Sequence, residues 1–512
     1  MTAWTRSASA RHGAALAFGA AFALTVTANG GATPLGRDGD PIRTSRYSVD
    51  LTQTPVLAGS RVTGLAGAYV AIAEGIDGDV QNPAAPAVRV PYSTDHFEFE
   101  LGLGLTLPAT FTSTDFFNTG RERTELGSTH QQGFVFVTPA LNLAWGDFGL
   151  GATLELQNYS LARNDVTNQN ARQEELTADF AVLHLQAAHR FDHGNIVAGV
   201  GLRVLRLDVT NPSATNGQTA LFTTSGLGVE LGALWMPNDL PFRIGASFRS
   251  GVSTNPDPNS RVTADTEGDR VVNPNDPANT IFLPDRVDQP WDLNVGFAVQ
   301  VGPRRFNPRW IDPKDRDSEI ERALQRRTAE REYRRALELD QLRAEGKLDP
   351  AARRAVDAEF DNDQAVDELH LDHSQDLTQK QLKARYRQYP RRYVLLSASL
   401  VVTGSLTDAV GVESFLERTV ARSGAQLGFS PRFGVETEIV PDWVKVRGGT
   451  YGEPTRFATS SGRLHGTFGF DAKLFPWTVF GLFDDETAWR VSTSLDVATR
   501  YFGWGVGIGV WH

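Results

Sequence analysis

Phe97-Glu98-Phe99-Glu100-Leu101-Gly102-Leu103-Gly104-Leu105-Thr106-Leu107 is written in period two: each odd position carries a large apolar side chain, each even one an acid, glycine or threonine. Successive side chains of a strand point to opposite faces, so this stretch has one wholly apolar face and one small, polar face. A soluble sandwich turns its polar face to water, whereas a membrane barrel turns the apolar face to lipid and the polar face to its lumen.

The same two-faced writing recurs along the chain. Leu227, Val229, Leu231, Ala233 and Trp235 alternate with Gly228, Glu230 and Gly232, and Phe242, Ile244, Ala246 and Phe248 with Arg243, Gly245, Ser247 and Arg249. Trp291, Leu293, Val295, Phe297, Val299 and Val301 enclose Asp292, Asn294, Gly296 and Gln300, and Trp489, Val491, Thr493, Leu495 and Val497 enclose Arg490, Ser492, Ser494 and Asp496. With weaker segments, the pattern predicts about fourteen strands of ~10 residues each, the length a tilted membrane strand needs. The competing reading is a large soluble all-β protein. Trp145, Trp235, Trp291, Trp443 and Trp504 sit near strand ends, as interfacial girdles do, and favour the membrane.

Composition agrees. The 512 residues include 48 glycines, 10 % aromatics and no cysteine, so no disulfide or thiolate site exists. A net charge of −11 excludes a general nucleic-acid binder, which needs a surplus of Lys and Arg to neutralise phosphates. At the start, Arg6, Arg11 and His12 precede an apolar run from Ala14 to Ala28 that ends in the small residues Val26 and Ala28. This reads as a signal peptide removed after Ala28, because the run is short and alanine-rich against the ~20 strongly apolar residues of an anchoring helix.

The expected organisation is a signal peptide over 1–28, a plug segment over 29–92, barrel strands one to eight over 93–302, a charged helical insertion over 303–390, and strands nine to fourteen over 391–512. With the start in the periplasm, the long gaps at 108–132, 158–176, 208–222, 250–289, 404–425 and 450–463 fall outside the cell. The turns near Gly146, Asp192, Pro237 and Pro441 fall inside. The insertion falls inside too. Helical writing in Ile320, Leu324, Tyr333, Ala336, Leu337 and Leu342, punctuated by Pro350 and Pro390, predicts a helical hairpin or small subdomain.

Gly64-Leu65-Ala66-Gly67-Ala68-Tyr69-Val70-Ala71-Ile72-Ala73, followed by Asn82-Pro83-Ala84, resembles the start of outer-membrane transporters of the FadL (long-chain fatty acid transport) family and the related PorV-like barrels. Lys445-Val446-Arg447-Gly448-Gly449-Thr450-Tyr451 is similar to a late strand of the same proteins. The resemblance implies a fourteen-stranded barrel with its N-terminal segment as a hatch in the lumen, and passage of hydrophobic compounds such as fatty acids or aromatics. The sequence shows no nucleophile-elbow motif and no Ser, His and acid placed together, so neither catalysis nor a cofactor is expected. Outer-membrane lipid, the hydrophobic small molecule and the barrel-assembly machinery would be its partners. Two features depart from the pattern: the 303–390 insertion, which leaves room for a periplasmic protein partner, and an ending Gly509-Val510-Trp511-His512 without a terminal Phe, so that assembly would use Trp511 or the whole last strand.

Three groups of residues are candidates for function. Gly64, Gly67, Tyr69, Asn82, Pro83 and Ala84 are expected in the plug, near the periplasmic mouth. Alternation turns Glu98, Glu100, Glu230, Asp292, Asp471 and Asp496 to the lumen, answered by Arg243, Arg249, Lys445, Arg447, Lys473 and Arg490. Such near balance predicts an ion-paired, filled interior, because an unpaired charge in a dry lumen is costly. Pro139 interrupts strand two beside a third strand containing Gly149 and Gly151, and a proline cannot donate to a ladder. The expectation there is a lateral opening or kink between strands two and three, with a harmless bulge as the competing reading and Pro431 as the competing site. Other motifs are weak: His370 and His373 on a charged helix, Asp265, Glu267 and Asp269 around Gly268, and the lone strand residues His184, His189 and His465 read as neither metal site nor catalytic triad.

Overall fold

The computed structural model describes residues 35–511 except 90–92, 94, 109–113, 121–128, 164–174, 212–218, 259–261, 273–279, 480, 482 and 484–486. The expected signal peptide and the first residues of the plug segment lie outside the described residues.

Fourteen antiparallel strands close into a barrel: β1 Phe97–Leu107, β2 Thr129–Trp145, β3 Phe148–Arg163, β4 Glu175–Phe191, β5 Ile196–Asn211, β6 Thr219–Trp235, β7 Phe242–Arg249, β8 Asp292–Val301, β9 Val394–Thr403, β10 Gly428–Val440, β11 Val444–Glu453, β12 Arg463–Pro476, β13 Ala488–Ala498 and β14 Tyr501–Val510. Each strand pairs with the next, and β14 pairs with β1 from Gly102↔Gly509 to Leu107↔Trp504, which leaves no open edge. The alternation in the sequence sets the faces. Leu150, Leu185, Val200, Leu231, Phe297, Phe433 and Leu495 stand exposed on the outer surface. An apolar outer surface of this extent is stable against hydrocarbon rather than water. Phe97, Trp145, Phe148, Phe191, Trp235 and Trp443 ring the end where the short turns lie, the position of an aromatic girdle. Among the described residues no helix is long and apolar enough to cross a membrane.

Strands β2 to β6 run to 16 or 17 residues, well beyond the expected span. The excess lies on the long-loop side, and there the polarity inverts. In β4, Leu176, Ala178, Phe180 and Val182 point inward and are buried, whereas His184, Gln186 and Arg190 line the same face nearer the short turns. Outward, the same extensions carry Asp179 and Arg206, which are exposed, while Leu205, Leu207 and Val209 of β5 face in. Above the bilayer the barrel is therefore a water-soluble one, apolar inside. This corrects the expectation that 158–176 and 208–222 are wholly loop: Tyr159, Leu161, Leu176, Leu221 and Phe222 are strand residues in a buried apolar cluster.

That outer chamber is filled from above. Ser48–Asp50 forms parallel pairs with Arg286–Gln289 on one side and Ala409–Gly411 on the other, a small sheet roofing the barrel. Tyr47, Val49, Leu283, Val287, Val410, Phe415 and Leu416 from these segments pack against the inward apolar face. From the roof the chain descends the lumen through helices α1 (Ser60–Gly64) and α2 (Gly75–Asp79) to a single 3₁₀ turn at Ala85–Ala87, and reaches β1 at the short-turn end.

Between β8 and β9 stands a helical hairpin, α3 (Pro313–Ala344) and α4 (Pro350–Arg387), on the side of the short turns. Proline opens each helix, where its missing N–H costs nothing, and Asp312 caps α3 by accepting from the Lys314 amide at 2.9 Å. Ion pairs Arg331–Asp367 and Arg335–Asp357 tie the helices together, and Tyr333, Leu337 and Leu369 remain exposed.

Candidate functional site

At several points the plug backbone sits against the wall where the wall has no side chain. A β-carbon at Gly199 would fall on the Pro83 carbonyl, one at Gly232 on the Asn82 side chain, one at Gly245 on Val70 and Ala71, and one at Gly449 on Leu65 and Ala66. Inward-facing glycines thus form a seat that the plug backbone occupies. Asn82 pins the corner: its side-chain amide donates to the carbonyls of Val70 (2.9 Å) and Ala233 (3.2 Å), and its oxygen accepts from the Ala84 amide (3.0 Å). Ala84 is completely buried beneath it. Tyr69, also without exposed surface, accepts from Arg61 (2.7 Å) and donates to the Glu74 carbonyl (3.0 Å). Gly64 touches the Arg447 stem, and Gly67, with φ +73°, leaves room for the Arg432 guanidinium.

The charged wall pairs with this plug as much as with itself. Glu436, fully buried, accepts from Arg61 of α1 at 2.8 and 3.0 Å, from Arg447 at 3.0 Å and from the Tyr393 hydroxyl at 2.9 Å. Arg447 is forked onto Asp471 at 2.5 and 2.8 Å, and Asp471 also accepts from Arg490 at 3.0 Å. Arg490 continues to Asp77 of α2, and Arg243 reaches Glu74 at 3.0 Å and the Ile72 carbonyl at 2.7 Å. The chain of charges therefore runs wall, plug, wall. Arg61, Glu74 and Asp77 were not among the sequence candidates, because nothing in a short irregular segment says which wall charge it will meet.

The remaining charges take separate places. Arg249 pairs with Asp292 at 3.3 Å, and Glu230 holds His184, which also contacts Glu155. Glu98 meets Arg89 at the mouth at 3.0 Å, Glu100 accepts from the Ile76 amide at 3.2 Å, and Asp496 accepts from Tyr451 at 2.8 Å and contacts His465 at 2.7 Å. Lys445 lies 4.4 Å over the Trp511 ring. Lys473 is the exception to the luminal group: it pairs at 2.7 Å with Asp442 on the β10–β11 turn, at the rim. Although partial burial opposes it, the Lys473 ammonium and the nearby Arg391 hold the Asp442 carboxyl below the usual carboxylate range. His370 and His373 stand exposed on α4, and among the described residues no cluster with the makings of a metal site occurs. Asp265 accepts from the Glu267 and Asp269 amides, and Asp269 accepts from Ser45, so this loop's carboxylates hold the roof together.

At Pro139 the β2–β3 ladder lapses. Val137↔Leu156 and Ala140↔Thr153 are paired, but Thr138 and Pro139 form no pair with Glu155 and Leu154, while both stay paired to β1 through Gly104 and Leu103. Gly149 and Gly151 do not belong to this break. They are paired on both sides and face Pro86, so they seat the plug rather than open the wall. Pro431 stays paired to Leu400 of β9, but the β10–β11 pairing stops at Arg432↔Tyr451, so Pro431 likewise has a partner on one side alone.

Two cavities lie in the lumen near this break. One of about 160 Å³ lies under the filled chamber and is mostly polar, with Glu155, His184, Arg203, Arg249, Asp292 and Arg432 beside Leu57, Phe180 and Val182. Val80 and Glu155 line both it and a second cavity of about 50 Å³, bounded by Gly102, Gly104, Thr138, Ala140 and Ile508. The second cavity ends against the unpaired stretch of β2.

No protein-family model and no curated relative matches the sequence. Among solved structures, the chain is similar to a FadL homologue of Pseudomonas aeruginosa at 11 % identity and a TM-score of 0.44, covering 92 % of this chain and 98 % of that one. It is similar to the CymD monoaromatic hydrocarbon channel (11 %, TM-score 0.42, 90 % and 97 %) and to the Pseudomonas putida toluene transporter TodX (12 %, TM-score 0.41, 90 % and 98 %). The chain is thus similar to FadL-like outer-membrane barrels over nearly its whole length, a likeness of overall architecture at very low sequence identity.

Proposed function

We propose that this protein is a plugged, non-enzymatic outer-membrane channel through which hydrophobic small molecules, fatty-acid-like or aromatic, pass without energy input and leave sideways into the bilayer at Thr138–Pro139. One observation carries the reading: the β2–β3 ladder lapses at Thr138–Pro139, and a cavity lined by Gly102, Gly104, Thr138 and Ala140 lies on the lumen side of that lapse. A route straight down meets the plug and its buried ion pairs, which an apolar molecule cannot replace. A sideways route needs only a gap at membrane depth, and irregular backbone there is tolerated where a cavity shelters it.

The test is uptake of fatty-acid and aromatic-hydrocarbon probes by cells with and without the protein. Uptake is expected to fall without it, and unchanged uptake overturns the reading. Pro139→Val restores a donor at the break, and is expected to slow uptake several-fold while the barrel still assembles, as judged by its heat-dependent gel shift. Full uptake by a folded Pro139→Val variant removes the exit from this site.

A second reading draws on the exposed Tyr333, Leu337 and Leu369 of the hairpin: a structural or secretion-associated barrel that docks a periplasmic protein there. Deleting residues 313–387 separates the two. Loss of a co-purifying partner with uptake retained favours docking alone; loss of neither leaves the hairpin without that role.

A further inference from the structure

The cavity at the periplasmic mouth belongs to neither the proposed path nor the plug seat. It encloses about 380 Å³, within the range of small-molecule sites, between the end of the barrel and the root of the hairpin. Six arginines line it, Arg89, Arg190, Arg243, Arg305, Arg309 and Arg385, against one acid, Asp239, which Arg305 already holds at 2.6 Å. Arg89 is satisfied by Glu98 and the Gly146 and His96 carbonyls, and Arg243 by Glu74 and backbone oxygens.

Arg190 differs. It is the penultimate residue of β4, only 5 % exposed, and its Nε and Nη1 have no hydrogen-bond partner. Beside it, the Trp310 ring is flanked by Arg89 at 4.6 Å and Arg190 at 5.1 Å, and the Trp310 Nε1–H is buried without an acceptor. Donors buried without acceptors are costly, and a buried guanidinium left so is costlier still. Met236, Phe306, Ile311 and Leu382 make an apolar part of the wall, with Ser93, Gln388 and Tyr389 beside them.

We propose that this cavity binds an organic carboxylate with an apolar body. The carboxylate accepts from Arg190 and from the Trp310 Nε1–H, and the body lies on Met236, Phe306 and Leu382. Asp147 and Glu98 lie near enough to act on Arg190 without hydrogen-bonding its Nε or Nη1, so this guanidinium and one N–H suit a singly charged head. A compact dianion would gain nothing from the apolar walls. The site is independent of the route through the barrel, and binding is read separately from uptake, so its failure leaves the proposed channel standing.

Calorimetric titration of the full-length barrel in amphipol tests it, with decanoate as probe and decanol and inorganic phosphate as comparisons. Decanoate is expected to bind with a saturable component assigned to this cavity by its loss in the variants below, and decanol to show that component at least about tenfold more weakly. Arg190→Gln is expected to weaken decanoate about tenfold or more, and Trp310→Phe, which keeps the ring and removes the N–H, about fivefold. Trp310→Phe changes no charge and covers the case in which Arg190→Gln misfolds. Unchanged decanoate affinity in both folded variants overturns the proposal, as does inorganic phosphate displacing decanoate at equal affinity or decanol binding equally well.

Discussion

Glu436→Gln is expected to cost the folded barrel about 3–5 kcal/mol, because it removes the single carboxylate on which Arg61 of the plug and Arg447 of the wall converge. Both partners are buried or nearly so, and neutralising the acid leaves two guanidiniums facing each other with only Glu74 and Asp471 left to answer them. The measurement is urea unfolding in lipid vesicles, read by tryptophan fluorescence. Adding Arg61→Gln to Glu436→Gln should recover part of the loss, since the second change removes one of the two facing cations while Glu74 keeps Arg243. A loss below about 1 kcal/mol for Glu436→Gln would mean that the node contributes no more than an exposed pair, and the wall–plug network would lose its structural role.

Gly199→Val is expected to unseat the plug while sparing the barrel. Its β-carbon would meet the Pro83 carbonyl, a backbone group that cannot swing aside, so the Asn82-Pro83-Ala84 corner has to lift. Overpacking of this kind costs about 1–3 kcal/mol, comparable to the three hydrogen bonds Asn82 makes. The ladder on either side, Ala188↔Gly199 and Gly199↔Gly232, has no reason to break, and valine suits a strand. Sucrose entry into liposomes should rise, and a cysteine at Ala84 should become reactive to a membrane-impermeant maleimide. Val200→Leu, one residue along on the lipid-facing side, serves as the control and should change neither. A tight, unreactive Gly199→Val barrel would show that the glycine seat does not position the plug.

The architecture was legible in the sequence because alternation is a local property. Phe97 to Leu107 states which side of β1 meets lipid whatever the neighbours are, and the same holds for β6, β7, β8 and β13, so a closed antiparallel barrel of fourteen strands with a helical insertion could be read residue by residue. The inward direction of Glu230, Arg243, Arg447 and Arg490 follows from the same rule. What alternation does not carry is the environment of each face. The outer parts of β3, β4 and β5 keep period two but exchange polarity, and the inward Leu176 and Phe180 can be apolar because the roof strands, hundreds of residues away in part, cover that end. Gly149 and Gly151 suggested weakness in the wall, whereas their meaning lies in Pro86, more than sixty residues earlier, filling the space they leave. The partners of the lumen charges are decided the same way: Arg61, Glu74 and Asp77 reach them only once the chain has been threaded through the closed barrel. The strands and their faces thus come from sequence by itself, because they need only near neighbours. The seat, the ion network and the unpaired Arg190 come from tertiary structure, because each depends on groups that closure of the barrel brings together.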